Sequence, residues 1–262
     1  MSTPAPGTVA PWHLVMVPGI QGRWEWLRPT IAHLNGRIPT SCYSLCGDFG
    51  SGCRLDPAAG FDNYLRQLDA VLDRIRAKRI ALCGVSYGGV IALRYAATRQ
   101  DRVSALVISS SPSPAWKPNA RQGAYIASPW ISTPLFLATA PARLLPEIYA
   151  AFPDWPSRLS FCAMHMARVL AAPALPPLMA ARIREEQLID FVPDCTRICI
   201  PTLVTSGEPE LDAVVPVEAT RQYVSLIPGA KYAIIERTGH LGLLTRPDRY
   251  AGIVSDFIGS IP

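Results

Sequence analysis

The sequence predicts an α/β protein, a mostly parallel, doubly wound sheet into which a helical lid is inserted. Three observations predict it. Short apolar runs rich in β-branched residues recur along the chain, amphipathic helical stretches alternate with them, and one long proline-rich segment interrupts the alternation.

The clearest strand candidates are residues 13–17, 79–83, 105–109, 202–206 and 232–236, with a weaker one at 40–45. Residues 61–77 read as an amphipathic helix, because Tyr64, Leu65, Leu68, Val71, Leu72 and Ile75 fall on one stripe at helical spacing. Further helices are predicted over 87–98 and 247–258. The interruption runs from Pro112 to Pro193 and holds thirteen of the 26 prolines, with aromatics such as Trp116, Trp130, Phe136, Tyr149, Phe152 and Trp155. A structureless loop of that length does not suit a compact domain. The segment therefore reads as short helices joined by proline turns, a lid of residues 112–195 inserted in a core of 1–111 and 196–262.

Bulk properties exclude several classes. With 49% apolar and 17% charged residues the chain is neither disordered nor a coiled coil. The net charge of +5 comes mostly from scattered arginines, the lysines being Lys78, Lys117 and Lys231, so no nucleic-acid footprint is predicted. Met1 to Pro11 lacks a basic region followed by an apolar stretch, which argues against a secretory leader. Prolines break the greasiest stretch, Pro129 to Pro146, short of the ~18 apolar residues an integral membrane segment needs. The seven cysteines form no CxxC pair. Cys42, Cys46 and Cys53 cluster without a histidine near enough to complete a zinc set, and Cys83 and Cys199 fall in strand-like runs that suit packed thiols. The expectation is a protein without metal or cofactor in a reducing, cytoplasmic setting. Oligomeric state is not legible.

Chemistry enters at Gly84-Val85-Ser86-Tyr87-Gly88-Gly89, between the strand at 79–83 and the helix at 87–98. A serine at a sharp strand-to-helix turn is forced into a strained backbone, and only small flanking residues such as Gly84 and Gly88 avoid clashes. The turn lifts the hydroxyl above the sheet and aims free helix N–H groups at developing negative charge. Ser86 is thus the candidate nucleophile.

A serine hydroxyl needs a base. Of His13, His33, His165 and His240, the last sits in Thr238-Gly239-His240-Leu241-Gly242, just past the final strand, where open α/β sheets bind ligands. The acid that orients it should lie after the preceding strand. The segment from Ser206 to Pro216 offers Glu208, Glu210 and Asp212; Asp212 is preferred for its interval to Val215-Pro216, Glu210 competes, and Glu208 suits the turn. An oxyanion hole needs two N–H donors. Tyr87 should supply one, and Val17-Pro18-Gly19-Ile20-Gln21-Gly22 the other, with Ile20 preferred and Gln21 second.

In these pieces the chain resembles the α/β-hydrolase superfamily, in its capped, lipase- and esterase-like branch. The matching residues are Pro18-Gly19, the elbow at Ser86, Asp212 before Val215-Pro216, and Thr238-Gly239-His240. They span nearly the whole chain. Two features depart from the family pattern. Pro18-Gly19 stands where many members have His-Gly, and the interval from Gly207 to Asp212 is longer than usual, which keeps Glu210 open. The resemblance implies an inserted lid, no cofactor, and an acyl-enzyme on Ser86. A serine at the elbow excludes the alkyl-ester chemistry of members that carry aspartate there.

Pocket candidates come from the lid and the strand-end loops: Trp24, Trp26, Trp130, Phe136, Phe152, Trp155 and Leu241. Arg23 and Arg143 could read a carboxylate, although a solvated arginine is the simpler reading. The function expected is hydrolysis of small-molecule carboxylic esters with hydrophobic acyl or aryl groups. C–C bond hydrolysis or acyl transfer by the same triad is the alternative, and a low-turnover binding protein of this fold a further one.

Overall fold

The computed structural model describes residues 12–262, without the side chains at 136, 137, 140 and 141. The stretch Met1 to Pro11, read above for a secretory leader, lies outside the described residues.

The chain begins with β1 (Trp12–Val17), α1 (Arg28–Asn35), β2 (Thr40–Cys42), α2 (Asp62–Leu72), β3 (Arg79–Val85), α3 (Tyr87–Thr98) and β4 (Ala105–Ser109). The insertion follows as α4 (Ala120–Ala127), α5 (Pro129–Ala151), α6 (Trp155–Ala171), α7 (Pro176–Glu186) and α8 (Val192–Arg197). The core resumes with β5 (Thr202–Ser206), α9 (Val217–Leu226), β6 (Lys231–Ile234), α10 (Gly242–Thr245) and α11 (Pro247–Gly259).

The six strands form one sheet in the order β2-β1-β3-β4-β5-β6, every pair parallel. Side chains alternate faces along a strand, and the core divides accordingly. Val15, Val17, Leu82, Leu106, Ile108 and Val204 pack with residues of α2, α3, α8 and α9. Leu14, Met16, Ala81, Cys83, Val107 and Leu203 pack on the other face with α1, α10 and α11. Both faces being covered explains the continuous apolar character of the strands.

The strand order reverses between β1 and β3. A crevice opens at such a switch point, outside the carboxyl ends of the strands. Val17-Pro18-Gly19 leaves β1 there and Ser86 leaves β3 there.

Beneath the sheet, the Tyr250 hydroxyl meets Ser109 Oγ at 2.7 Å and Cys83 Sγ at 2.9 Å, and Thr205 Oγ1 donates to the same Ser109 Oγ at 2.9 Å. All are buried. Tyr250→Phe leaves these groups short of a partner, and a loss of about 1–3 kcal/mol is expected in urea unfolding. An unchanged midpoint would show the network to be slack.

Several sequence expectations are corrected. The insertion is not a series of short helices throughout, since α5 runs 23 residues through Pro134, Pro141 and Pro146. Each proline removes a helical hydrogen bond, and packing against α4 and α7 holds the helix together. Cys46 and Cys53 are joined in a disulfide rather than standing as thiols, closing the loop that carries Asp48. Cys199 is an exposed thiol before β5, not a strand residue, whereas Cys83 is buried as expected. Among the described residues no single helix is long and apolar enough to cross a membrane.

Candidate active site

Ser86 is the residue between β3 and α3, with φ 52° and ψ −123°. A non-glycine residue in that region costs on the order of 1–3 kcal/mol and persists only where its surroundings impose it. The imposition is visible. The Ser86 N–H still donates to the Ser109 carbonyl at 2.8 Å as the last rung toward β4, while its own carbonyl already accepts the Gly89 N–H at 2.8 Å in α3. The first turn of α3 passes so close to the end of β1 that a Cβ at Gly88 would collide with the Val17 carbonyl. Tyr87 opens the helix, so its N–H has no intrahelical acceptor four residues back.

His240 follows β6 on a loop at the same sheet edge. Its Nδ1 lies 3.2 Å from Asp212 Oδ2, and the Asp212 side chain is 1% exposed. Oδ1 of Asp212 accepts the N–H groups of Val214 and Val215, each at 2.9 Å. Burial pushes the Asp212 carboxyl up, but His240 and these N–H groups outweigh it and hold the group below its usual range. Burial likewise disfavours an imidazolium at His240. Asp212, with Glu147 beyond it, outweighs burial and lifts the proton affinity above the ordinary 6.5. Glu210 is exposed, and Glu208 serves the turn: its Oε1 accepts the Arg237 N–H at 2.7 Å. The structure thus brings Asp212, of the three carboxylates, to His240.

The loop after β1 lies against the elbow, since a Cβ on Gly19 would stand 3.4 Å from Ser86 Cβ. Its conformation is pinned from the insertion. Arg182 of α7, fully buried, donates from Nη1 to the Ile20 carbonyl at 2.8 Å and from Nη2 to the Cys46 carbonyl at 3.3 Å, and pairs with the buried Asp48. Gly22 must be glycine here. Its φ is 71°, and a Cβ would strike both Asp48 and Arg182.

Residues 14–253 match the alpha/beta hydrolase family. The chain belongs to the α/β hydrolase family. Similar solved structures include an enol-lactonase from Burkholderia xenovorans LB400, 21% identical with a TM-score of 0.75, covering 97% of this chain and 94% of that one. MenH from S. aureus is 25% identical with a TM-score of 0.70, covering 97% and 95%. A proline iminopeptidase from Heyndrickxia coagulans is 35% identical over 72 residues, which is 26% of this chain and 24% of that enzyme. The chain thus matches about a quarter of that relative's length.

The pocket candidates of this α/β hydrolase divide. Leu241 packs beside His240 on the core, and Trp26 is held by its Nε1–H on the Ala172 carbonyl at 2.9 Å. Trp24 is half-buried under the Arg28 guanidinium, 5.7 Å from its ring. Phe152 packs against Phe161 in the core, the rings tilted with centroids 5.1 Å apart. Trp130 and Trp155 are 65% and 66% exposed. Trp155 packs edge-on against Tyr149, and the Arg158 guanidinium covers both rings. The side chain of Phe136 lies outside the described residues. Arg23 is not a solvated arginine: it is buried, donating to the Phe49 carbonyl and to Glu25.

Sequence reasoning missed two residues at this site, Arg182 and Glu147. Glu147 carried a signal, as the lone acid in the apolar run of α5. Arg182 carried none, because its partners Ile20, Cys46 and Asp48 are distant in the chain.

Proposed function

We propose that this α/β hydrolase cleaves carboxylic esters with hydrophobic acyl or aryl groups through an acyl-enzyme on Ser86. The observation that carries the reading is the strained Ser86 elbow at the sheet edge that also presents the His240–Asp212 pair. His240 takes the Ser86 proton as the hydroxyl oxygen attacks the carbonyl carbon, then delivers it to the leaving alcohol. Asp212 fixes the imidazole and stabilises its charge, and the backbone N–H groups of Ile20 and Tyr87 hold the oxyanion. Water activated by His240 then frees the acid.

The helices of residues 112–195 act in this reading as a cap, and the carbonyl of Ile20 is held by that cap through Arg182. The names of a lactonase and a peptidase among the similar proteins support opening of an acyl bond. A small-molecule substrate and no cofactor complete the proposal.

Hydrolysis of p-nitrophenyl esters of increasing acyl length tests it. Turnover with a preferred medium-length or aryl acyl group is expected. No turnover across the series, with cleavage of a diketone or transfer to an added alcohol instead, would reject ester hydrolysis.

The pH profile follows from His240. Only the neutral imidazole accepts the Ser86 proton, and its proton affinity is raised. Activity is therefore expected to be lost as pH falls through a midpoint above 6.5 and to level off on the alkaline side. A midpoint near that of a carboxylic acid would contradict His240 as the base.

A further inference from the structure

We propose that Glu147, on α5 of the insertion, is a positioning residue for His240, holding the histidine loop by hydrogen bonds and placing a second carboxylate behind the imidazolium. The inference rests on the role given to His240 above and adds a residue from outside the core.

The geometry is specific. Glu147 is 1% exposed. Its Oε2 accepts the N–H of Leu241, the residue after the base, at 3.0 Å, and its Oε1 accepts the Thr245 hydroxyl at 3.4 Å. One turn along α5, the Ala150 carbonyl accepts Arg237 Nε–H at 2.8 Å. The same helix therefore grips the loop on both sides of His240. A lone carboxylate inside a helix as apolar as α5 carries a large burial cost unless something uses it.

The charges around it agree. His240 and Asp212 are the titrating groups that face it from the core, and Arg143, one turn earlier on α5, donates to Thr139 Oγ1 at 3.0 Å. Burial pushes the Glu147 carboxyl up to about 7; the N–H groups of Leu241 and Gly239 and the charge on His240 hold it down, while Asp212 pushes it further up. Glu147 in turn raises the proton affinity of His240. The two groups are thus linked. A cation at His240 favours the carboxylate at Glu147, and loss of that carboxylate lowers the affinity of His240 for its proton.

The test is an NMR titration of the His240 imidazole, its signal assigned by its loss in His240→Gln. In Glu147→Gln, which keeps the shape and an acceptor for Leu241, the His240 midpoint is expected to fall by about half a unit. The acid limb of ester hydrolysis should move with it. Thr245→Val removes a hydrogen bond and keeps the charge, so it is expected to leave the midpoint in place. Superimposable titrations in wild type and Glu147→Gln would overturn the proposal, as would an equal shift in Thr245→Val. Should Glu147→Gln not fold, the carboxyl titrations of wild type and His240→Gln decide. A glutamate midpoint near 7 that rises in His240→Gln supports the proposal, and none that responds overturns it. Should Ser86 take no acyl group while His240 still shifts, ester hydrolysis fails and the link to Glu147 stands.

Discussion

Ser86→Ala is expected to lower kcat for p-nitrophenyl ester hydrolysis by at least about a thousandfold, with KM little changed. The size follows from the chemistry, because the substitution removes the atom that forms the acyl bond and leaves only binding and oxyanion stabilisation. His240→Ala should cost about as much, and Ser86→Ala/His240→Ala little more than either alone, since the pair acts as a unit. Additive losses would mean that the residues act independently. Retained activity in Ser86→Ala would mean that another nucleophile does the work.

Arg182→Met is expected to destabilise the fold by about 3–5 kcal/mol, lowering Tm by about 10 °C. Arg182 is wholly buried, and its removal takes the ion-pair partner from the buried Asp48 carboxylate. Burial already pushes Asp48 upward against the pull of Arg182. Adding Asp48→Asn to Arg182→Met should recover much of the lost Tm, because it takes away the unpaired charge. Turnover should not recover with it, since the Ile20 carbonyl still lacks its anchor. Recovery of both would leave Arg182 with a stability role alone.

Two of the buried charged residues of the insertion tie its helices to the loops of the candidate site. Arg182 reaches the loop after β1, and Glu147 reaches the loop after β6.

The strands were legible because a sheet covered on both faces needs unbroken apolar runs. Ala105–Ser109 and Thr202–Ser206 agree residue for residue with that pattern. The ends were less legible, where tertiary contacts decide. β2 stops at Cys42 because the chain leaves the ladder, and the Leu45 N–H donates to the Gly22 carbonyl beside the site instead. α2 ends at Leu72, where the apolar stripe thins to Ile75 among charged residues. The Ser86 turn could be read because its glycines are local demands of the backbone. The choice of Asp212 over Glu210 turned on spacing, and the contact with His240 now gives it a geometric reason. The exposure of Trp130 and Trp155 was not legible, because an aromatic residue in a helix looks the same in sequence whether it is covered or faces solvent. Arg182 was invisible, since a long-range buried ion pair leaves no local pattern.

The central claim is an acyl-enzyme on Ser86, and the direct measurement is peptide mass spectrometry of protein acid-quenched during turnover of a slowly deacylating ester. The acyl mass is expected on the peptide carrying Ser86, accumulating in wild type and missing from Ser86→Ala. An acyl group on another residue, or turnover with Ser86 unmodified under conditions that trap acyl-enzymes, would contradict it.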